Sequence, residues 1–499
     1  MNKITRRTFI RNSAFTAAAF SLPARSWAQV DGSNSDVRFA VIGFNGRGGD
    51  HIKEIAKVKG ARVTALCDAD ENVLNGGVAQ FQKDGKKVEA FKDMRRLLES
   101  KEIDAVSIAT PNHWHSLAAI WAIQAGKDVY VEKPVCHNVW EGRQLVKFAR
   151  AHNKIVQTGT QCRSSSGIRE AVEWVQAGNL GKVLIARGLC YKRRPSIGKV
   201  NGPQPIPDGV DYDLWCGPAP MEPLMRKRLH YDWHWVWPTG NGDLGNQGIH
   251  QMDIARWFLG ENELSPRVFA VGGRLGYIDD GTTPNTQIVF HDYPKAPLIF
   301  EVRGLPSGKS DQGKAEKGMD TLASIVDVIN ELKIPKLAGV GVIIHCEGGY
   351  VIVPDYSSAV ACDKQGKRIK DFKGSESHHG NFLKAVHSRN YKDLNADILE
   401  GHLSSSLCHT GNISYRLGHQ ERPEKIREAI KADRGATETF DRMAAHLEAN
   451  GVDITKDKLA LGVVLKMDPK TEKFRGNGKA NALLTRNYRK PYVVPEKVA

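Results

Sequence analysis

Beyond residue 28 the sequence has no apolar run approaching the roughly 20 residues of a membrane-spanning helix, so that part of the chain builds no such span. C-x-x-C pairs are also missing. The eight cysteines (Cys67, Cys136, Cys162, Cys190, Cys216, Cys346, Cys362, Cys408) lack zinc-like spacing, and most sit in apolar contexts such as Ala65-Leu66-Cys67, which predicts buried free thiols. No predicted helix carries a basic face interleaved with aromatics, so the formal charge of +15 reads as a solvated surface and nucleic acid is excluded as a partner. Five of those charges (Lys3, Arg6, Arg7, Arg11, Arg25) lie before residue 28, and the rest alternate with acids, as in Lys53, Glu54 and Lys57. The histidine pairs His113 with His115, His378 with His379 and His402 with His409 lack complete ligand sets, so no metal is expected.

What is present begins with a leader. Thr5-Arg6-Arg7-Thr8-Phe9-Ile10 is a twin-arginine pattern, followed by an apolar run from Ala14 to Leu22 and a small-x-small site at Ser26-Trp27-Ala28. This order predicts a signal peptide over 1–28, recognition by the twin-arginine translocon, an exported, periplasmic protein, and a polar linker over 29–36. That route carries folded proteins, which suits a chain holding a ligand tightly. At 41% hydrophobic and 25% charged, the remaining length is enough for two or three ordinary globular domains.

The first of these, expected over 37–160, alternates strand and helix. Val37 to Ile42 reads as a buried strand, Gly43-Phe44-Asn45-Gly46-Arg47-Gly48-Gly49 as a glycine-rich turn, and Asp50 to Lys59 as a helix. This is the setting in which a dinucleotide pyrophosphate rests on helix N-terminal amides. The middle glycine of G-x-G-x-x-G is replaced by Asn45, which tolerates a left-handed backbone. The next strand, Val63 to Asp68, ends in an acid about twenty residues on, placed to bond ribose hydroxyls and repel a 2′-phosphate, so NAD is expected over NADP. Helices at Glu71 to Lys83 and Met94 to Ser100, with strands at Val88 to Phe91 and Asp104 to Ala109, continue the alternation. The organising stretch follows. Buried strands ending at Ala109 and Val131 flank a helix from His113 to Gly126, which puts Thr110 to His115 and Glu132-Lys133-Pro134 on the carboxyl edge where ligands bind. A helix from Asn138 to His152 and a strand from Ile155 to Thr158 complete a doubly wound parallel sheet.

After Arg163 the pattern changes. A helix (Gly167 to Gln176) and a strand (Val183 to Tyr191) precede a long Pro/Gly/Trp-rich segment, Lys192 to Gly245, whose aromatics suit either a sugar platform or a core cover. A helix then begins at Gly245, placing Asn246, His250 and Asp253 on one face. Strands at Arg267 to Gly273, Thr286 to Phe290, Leu298 to Arg303, Val340 to Cys346, Tyr350 to Pro354 and Ser358 to Cys362 predict an open, mostly antiparallel sheet, so the second domain, over 161–435, is α+β. Ser307 to Ile334 reads as an insertion, Phe382 to Ser388 and Gly401 to Tyr415 as helices, and 436–499 as peripheral helices and an irregular arm.

Together, the glycine turn, Asp68, Ala109-Thr110-Pro111-Asn112-His113, Glu132-Lys133-Pro134 and the G-x-x-x-H-x-x-D helix from Gly245 to Asp253 resemble the Gfo/Idh/MocA family of glucose-fructose oxidoreductase and inositol dehydrogenase, in its exported bacterial branch. The resemblance spans roughly Val37 to Gly418. It implies a Rossmann-type domain binding NAD through Gly43, Asn45, Gly46, Arg47, Gly48, Asp68, Thr110, Asn112, His115, Glu132 and Lys133, with Asn112 and His115 near the ribose and nicotinamide. It implies that Lys133 and His250 are catalytic and line the nicotinamide and substrate, with Lys133-Pro134 a cis peptide, and that copies pair through the antiparallel sheet. Asn246 is placed to orient substrate hydroxyls, and Arg163 and Tyr191, at the mouth of the same crevice, are further substrate-site candidates. In the sugar and inositol dehydrogenases the position four before the histidine is commonly aspartate; here it is Asn246.

The chemistry agrees. Oxidising a carbinol to pass hydride to nicotinamide needs a base for the hydroxyl proton and a donor for the developing alkoxide. His250, with an ordinary pKa near 6.5, suits the first role and a partly desolvated Lys133 the second. Asn246 orients but does not titrate. The expected activity is an NAD-dependent oxidoreductase acting on a sugar, glycoside or cyclitol. Alternatives are an NAD-dependent glycosidase using transient oxidation and elimination, and a cofactor-bearing binding protein without turnover.

Overall fold

The computed structural model describes residues 36–306, 339–457 and 459–498. The expected leader and the insertion at Ser307 to Ile334 lie outside them, as does all of the linker but Asp36.

Alternation of strand and helix builds the first domain: β1 Val37–Ile42, α1 Arg47–Ala56, β2 Ala61–Cys67, α2 Glu71–Lys83, β3 Glu89–Phe91, α3 Met94–Glu99, β4 Ala105–Ile108, α4 His115–Gln124, β5 Asp128–Val131, α5 Val139–Ala151 and β6 Val156–Thr158. The six strands run parallel in the order β3-β2-β1-β4-β5-β6. Every residue of β4 and β5 is buried, as central strands covered on both faces require. Helix starts follow side-chain caps: the Asp70 carboxylate accepts from the amides of Asn72 and Val73 to open α2, and Asn138 accepts from Glu141 to open α5. The order reverses between β1 and β4, so the turns after these strands form a crevice at the carboxyl edge.

The second domain follows with α6 Ser166–Gln176, β7 Val183–Cys190 and the short α7 Tyr212–Cys216. The helix expected from Gly245 is two pieces, α8 Gly242–Asn246 and α9 Gly248–Leu259, broken at Gln247. The strands β8 Arg267–Gly273, β9 Thr286–His291, β10 Leu298–Arg303, β11 Val340–Cys346, β12 Gly349–Val353, β13 Ser358–Asp363 and β14 Arg368–Lys373 follow, then α10 His378–Ser388, α11 Ile398–Arg416, β15 His419–Glu421, α12 Pro423–Ile430 and α13 Ala436–Ala449. The sheet runs β14-β13-β12-β11-β7-β10-β9-β8-β16-β15, where β16 is Leu459–Leu461. It is antiparallel except where β10 pairs β7. Residues of α6, α9 and α11 cover one face, and those of α12 and α13 cover part of the other.

Two expectations change here. β14 was not anticipated: its charged, largely exposed Arg-Ile-Lys-Asp-Phe-Lys sequence hides an edge strand. The stretch over 436–499, expected as peripheral helices and an irregular arm, also supplies strands: β16 and β17 (Leu465–Asp468) pair with β8, while Tyr492 and Val494 pack into the core of the first domain. All eight cysteines are buried free thiols.

Candidate active site

The turn after β1 is shaped by close approach. Gly43 has φ +76°, and a Cβ there would lie 2.9 Å from the Thr110 backbone; one on Gly48 would lie 2.0 Å from the Gly43 carbonyl oxygen. A Cβ on Gly46 would meet nothing within 4 Å, and Gly46 starts α1 without a side-chain cap. A helix start without a side-chain cap, beside open space, is what a pyrophosphate needs. Asp68 accepts from the amides of Phe44 (3.1 Å) and Asp70 (3.0 Å), which fixes the turn, and burial raises its pKa.

Gly43, Phe44, Gly46 and Asp68 line a cleft of about 420 Å³ that also takes in Thr110, Asn112, His115, Glu132, Lys133 and Asn246, but not His250. The Thr110 hydroxyl is buried there without a hydrogen-bond partner. The donor set therefore fits a dinucleotide. The two ring nitrogens of His115 lie 2.6 Å from the Pro134 carbonyl oxygen and 2.7 Å from that of Thr110, so the imidazole braces both polar turns. Asn112 donates to the Asn241 side chain at 3.2 Å.

Glu132 is the hub beneath the cleft. Burial alone would raise its pKa, but the His51 hydrogen bond and the charges of His51, Lys133 and Arg47 hold it well below the usual carboxylate range. Arg47 donates to it at 3.1 Å and His51 Nε2 at 3.0 Å, with Ser107 2.8 Å from His51 Nδ1. The carboxylate makes Nε2–H the donor to Glu132, and Ser107 Oγ is the partner of Nδ1. His51, buried inside α1, was missed in the sequence; only its spacing from the glycine turn could have indicated it.

The Lys133–Pro134 peptide is cis, and Lys133 Nζ donates to the Asn246 carbonyl oxygen at 2.8 Å. That contact brings the end of β5 to the last residue of α8, four residues before His250. Burial lowers the Lys133 pKa, with Glu132 opposing. Burial, then the charge of Lys133, pushes His250 down to about 3, so its imidazole is neutral at physiological pH rather than half-titrated, and its Nδ1 has no hydrogen-bond partner. The Tyr356 ring lies 5.3 Å from the His250 ring. Asn246 makes only a 3.5 Å contact with Asp243, a buried acid one turn earlier that Arg194 holds through two 2.8 Å bonds.

The aromatic segment packs as a cover and also lines the cleft. Trp215 and Leu214 join Trp114 through indole-to-carbonyl bonds of 3.1 and 3.0 Å, and His230 lies 3.0 Å from Asp70. Leu214, Trp215, His230, Tyr231, Trp233 and His234 also line the cleft. The carboxyl-terminal arm backs this segment, with Tyr492 donating to Asp213 at 2.6 Å.

Two expected substrate residues lie elsewhere. Arg163 is buried against Asp253, with three contacts of 2.8–3.0 Å, and against Glu400 at 2.9 Å, so its guanidinium is spent tying α9 to α11. Tyr191 is fully buried, donating to Glu301 at 2.7 Å beneath Arg303. Side chains alternate across a strand, and Cys190, not Tyr191, faces the helices of the site.

Residues 37–160 match the Gfo/Idh/MocA oxidoreductase family in its NAD-binding Rossmann fold, and residues 168–290 match the family's C-terminal alpha/beta domain. The chain belongs to the Gfo/Idh/MocA oxidoreductase family. It is 33% identical over 167 residues to inositol 2-dehydrogenase 3 of Saccharopolyspora erythraea, covering 32% of this chain and 46% of that one. It is 28% identical over 196 residues to a glycosyl hydrolase family 109 protein of Solibacter usitatus, covering 37% and 45%. The chain thus spans about half the length of the curated relatives it matches. Among solved structures, the WlbA dehydrogenase of Bordetella pertussis, in complex with NADH and UDP-GlcNAcA, superposes with a TM-score of 0.53 at 19% identity over 74% of this chain and 94% of that one, a likeness of fold.

Proposed function

We propose that this protein is an NAD-dependent oxidoreductase that passes a hydride between a tightly held nicotinamide and a carbinol of a sugar, glycoside or cyclitol. The observation that carries this reading is the junction of Lys133 with the helix break before His250, at the carboxyl edge of a sheet that ends in a dinucleotide cradle. Bound NAD+ supplies the hydride acceptor. Gly43, Gly46 and Gly48 would admit its pyrophosphate, and Asp68 would bond the adenosine ribose and disfavour a 2′-phosphate. His250, neutral and with an unpartnered Nδ1, offers a ring nitrogen to the substrate hydroxyl proton. Lys133, with one N–H given to Asn246, retains two donors for the substrate oxygen.

Lys133→Met and His250→Ala should each lower kcat by about 10²- to 10⁴-fold while nucleotide binding persists. Unchanged turnover in either variant would remove that residue from the chemistry. The likeness to a glycosyl hydrolase family 109 protein supports a second reading, redox-neutral glycoside cleavage. In that case the cofactor ends oxidised after a glycoside is consumed. Export rests on the twin-arginine pattern at Arg6-Arg7, and replacing that pair with lysines should retain the protein in the cytoplasm. Pairing of copies through the antiparallel sheet belongs to the same proposal, with sedimentation as its test.

A further inference from the structure

Beside the cleft, the junction of Lys133 with the start of α9 carries more positive charge than the chemistry requires. Lys133 donates to the Asn246 carbonyl oxygen at 2.8 Å, and Lys192, just beyond β7, donates to the Gln247 side-chain oxygen at 2.7 Å. The two ammonium groups are therefore docked on consecutive residues at the start of the helix that bears His250. Among the described residues neither lies within salt-bridge distance of a carboxylate, and both oxygens they meet belong to neutral amides. The nearby acids Glu132 and Asp243 attract Lys133 from a distance but are bonded elsewhere, Glu132 to Arg47 and His51 and Asp243 to Arg194. Lys133 and Lys192 are each only part-exposed, and both act on His250 as repelling cations. α9 begins at Gly248 with no side-chain cap, adding the positive end of its dipole, and the unpartnered Nδ1 of His250 lies in its first turn. Gln247 also donates to the Tyr356 hydroxyl at 2.7 Å, and the half-exposed Tyr356 stands beside His250.

Two like charges held on neighbouring residues in a partly buried cleft repel one another unless an anion comes between them. The dinucleotide pyrophosphate does not meet this need at Lys192, since its cradle is the glycine turn of the other domain. Resting on the oxidoreductase reading above, we infer that the substrate is an anionic sugar, with a carboxylate or phosphate recognised by Lys192 together with Lys133 and the start of α9. Gln247 sets the position of Lys192, and Tyr356 closes the side of the site facing solvent.

The test is calorimetric binding of glucose, glucuronate and glucose 6-phosphate to the full mature chain, with and without NADH, at low ionic strength and in about 0.5 M salt. At low salt the favoured anion should bind about tenfold or more tightly than glucose, and salt should erode the difference. Lys192→Gln should cut the anion-to-glucose affinity ratio about tenfold, and Lys192→Arg, which keeps the charge, should preserve it. The relative affinities of the two anions identify carboxylate or phosphate. Glucose binding as well as both anions, a ratio unmoved by Lys192→Gln, or no binding by any of the three would overturn the inference. Absence of NADH binding would instead overturn the oxidoreductase reading, and the nucleotide-free titrations would then decide the anion site by themselves.

Discussion

Asp68 shows how one side chain can serve fold and specificity together. Its carboxylate accepts two backbone amides that set the glycine turn and stands on the cleft wall where a ribose hydroxyl would lie. Asp68→Ala should therefore shrink the preference for NAD over NADP by about tenfold or more, read as the ratio of dissociation constants, because the repulsion of a 2′-phosphate is lost. An unchanged ratio would assign Asp68 to turn structure alone. At this scale the sequence anticipated that Asp68 and Lys133 share one cleft, while their roles and that of His250 belong to the proposal. It was misleading where only position along the chain was available. Arg163 and Tyr191 follow the ends of β6 and β7 as site residues often do, but an ion pair to Asp253 and the alternation of side chains along the strand carry them away from the cleft. Lys192, Gln247 and Tyr356 carried no motif at all; a hydrogen-bond chain in three dimensions reveals them.

The glycine turn and α1 form the element whose geometry is most demanding. Gly48→Ala would place a Cβ 2.0 Å from the Gly43 oxygen, a backbone atom with little freedom to yield, whereas Gly46→Ala meets open space. The first variant should lose stability by about 1–3 kcal/mol and lose NAD binding, while the second should melt like the parent. Thermal denaturation with and without NAD separates the two. Among elements, α2 was readable to its ends because Asp70 caps it, and the central strands because their apolar runs are unbroken. β14 was not, since an exposed edge strand needs no apolar pattern, and the break at Gln247 has no proline or glycine-pair signal stronger than its surroundings. There the fixed points are tertiary: Lys133 and Lys192 anchor the two residues at the break.

For the whole molecule, burial of neutral histidines sets the acid limit. Burial pushes His113, His250, His291, His379, His409 and His446 down to about 3 and His378 to about 4. Their unfolded values lie near 6.5, so above that pH they leave stability unchanged. Below it the unfolded chain binds protons that the fold refuses, and each histidine subtracts up to about 1.4 kcal/mol per pH unit until its folded value is reached. Glu301, Glu400 and Glu472, held at about 2 against burial by their arginine and histidine partners, add losses in the same direction below about pH 4.5. The melting temperature should fall steeply from pH 7 to pH 5. A flat profile over that interval would mean these rings take up protons in the fold as readily as in the unfolded chain. The two-domain plan itself was readable from the change from alternating strand and helix to successive strands, but the return of the chain's end to both domains was not, because β16 and the arm are too short to announce partners.

The measurement that bears most directly on the central claim is the absorbance and mass spectrum of small molecules released by denaturing the purified mature protein, before and after incubation with sugars and cyclitols. Release of NAD at near-equal stoichiometry, converted to NADH by one of these substrates, is the predicted result. No dinucleotide released, and none bound when added, would contradict the assignment of the cleft between Gly43 and Lys133 and the activity built on it.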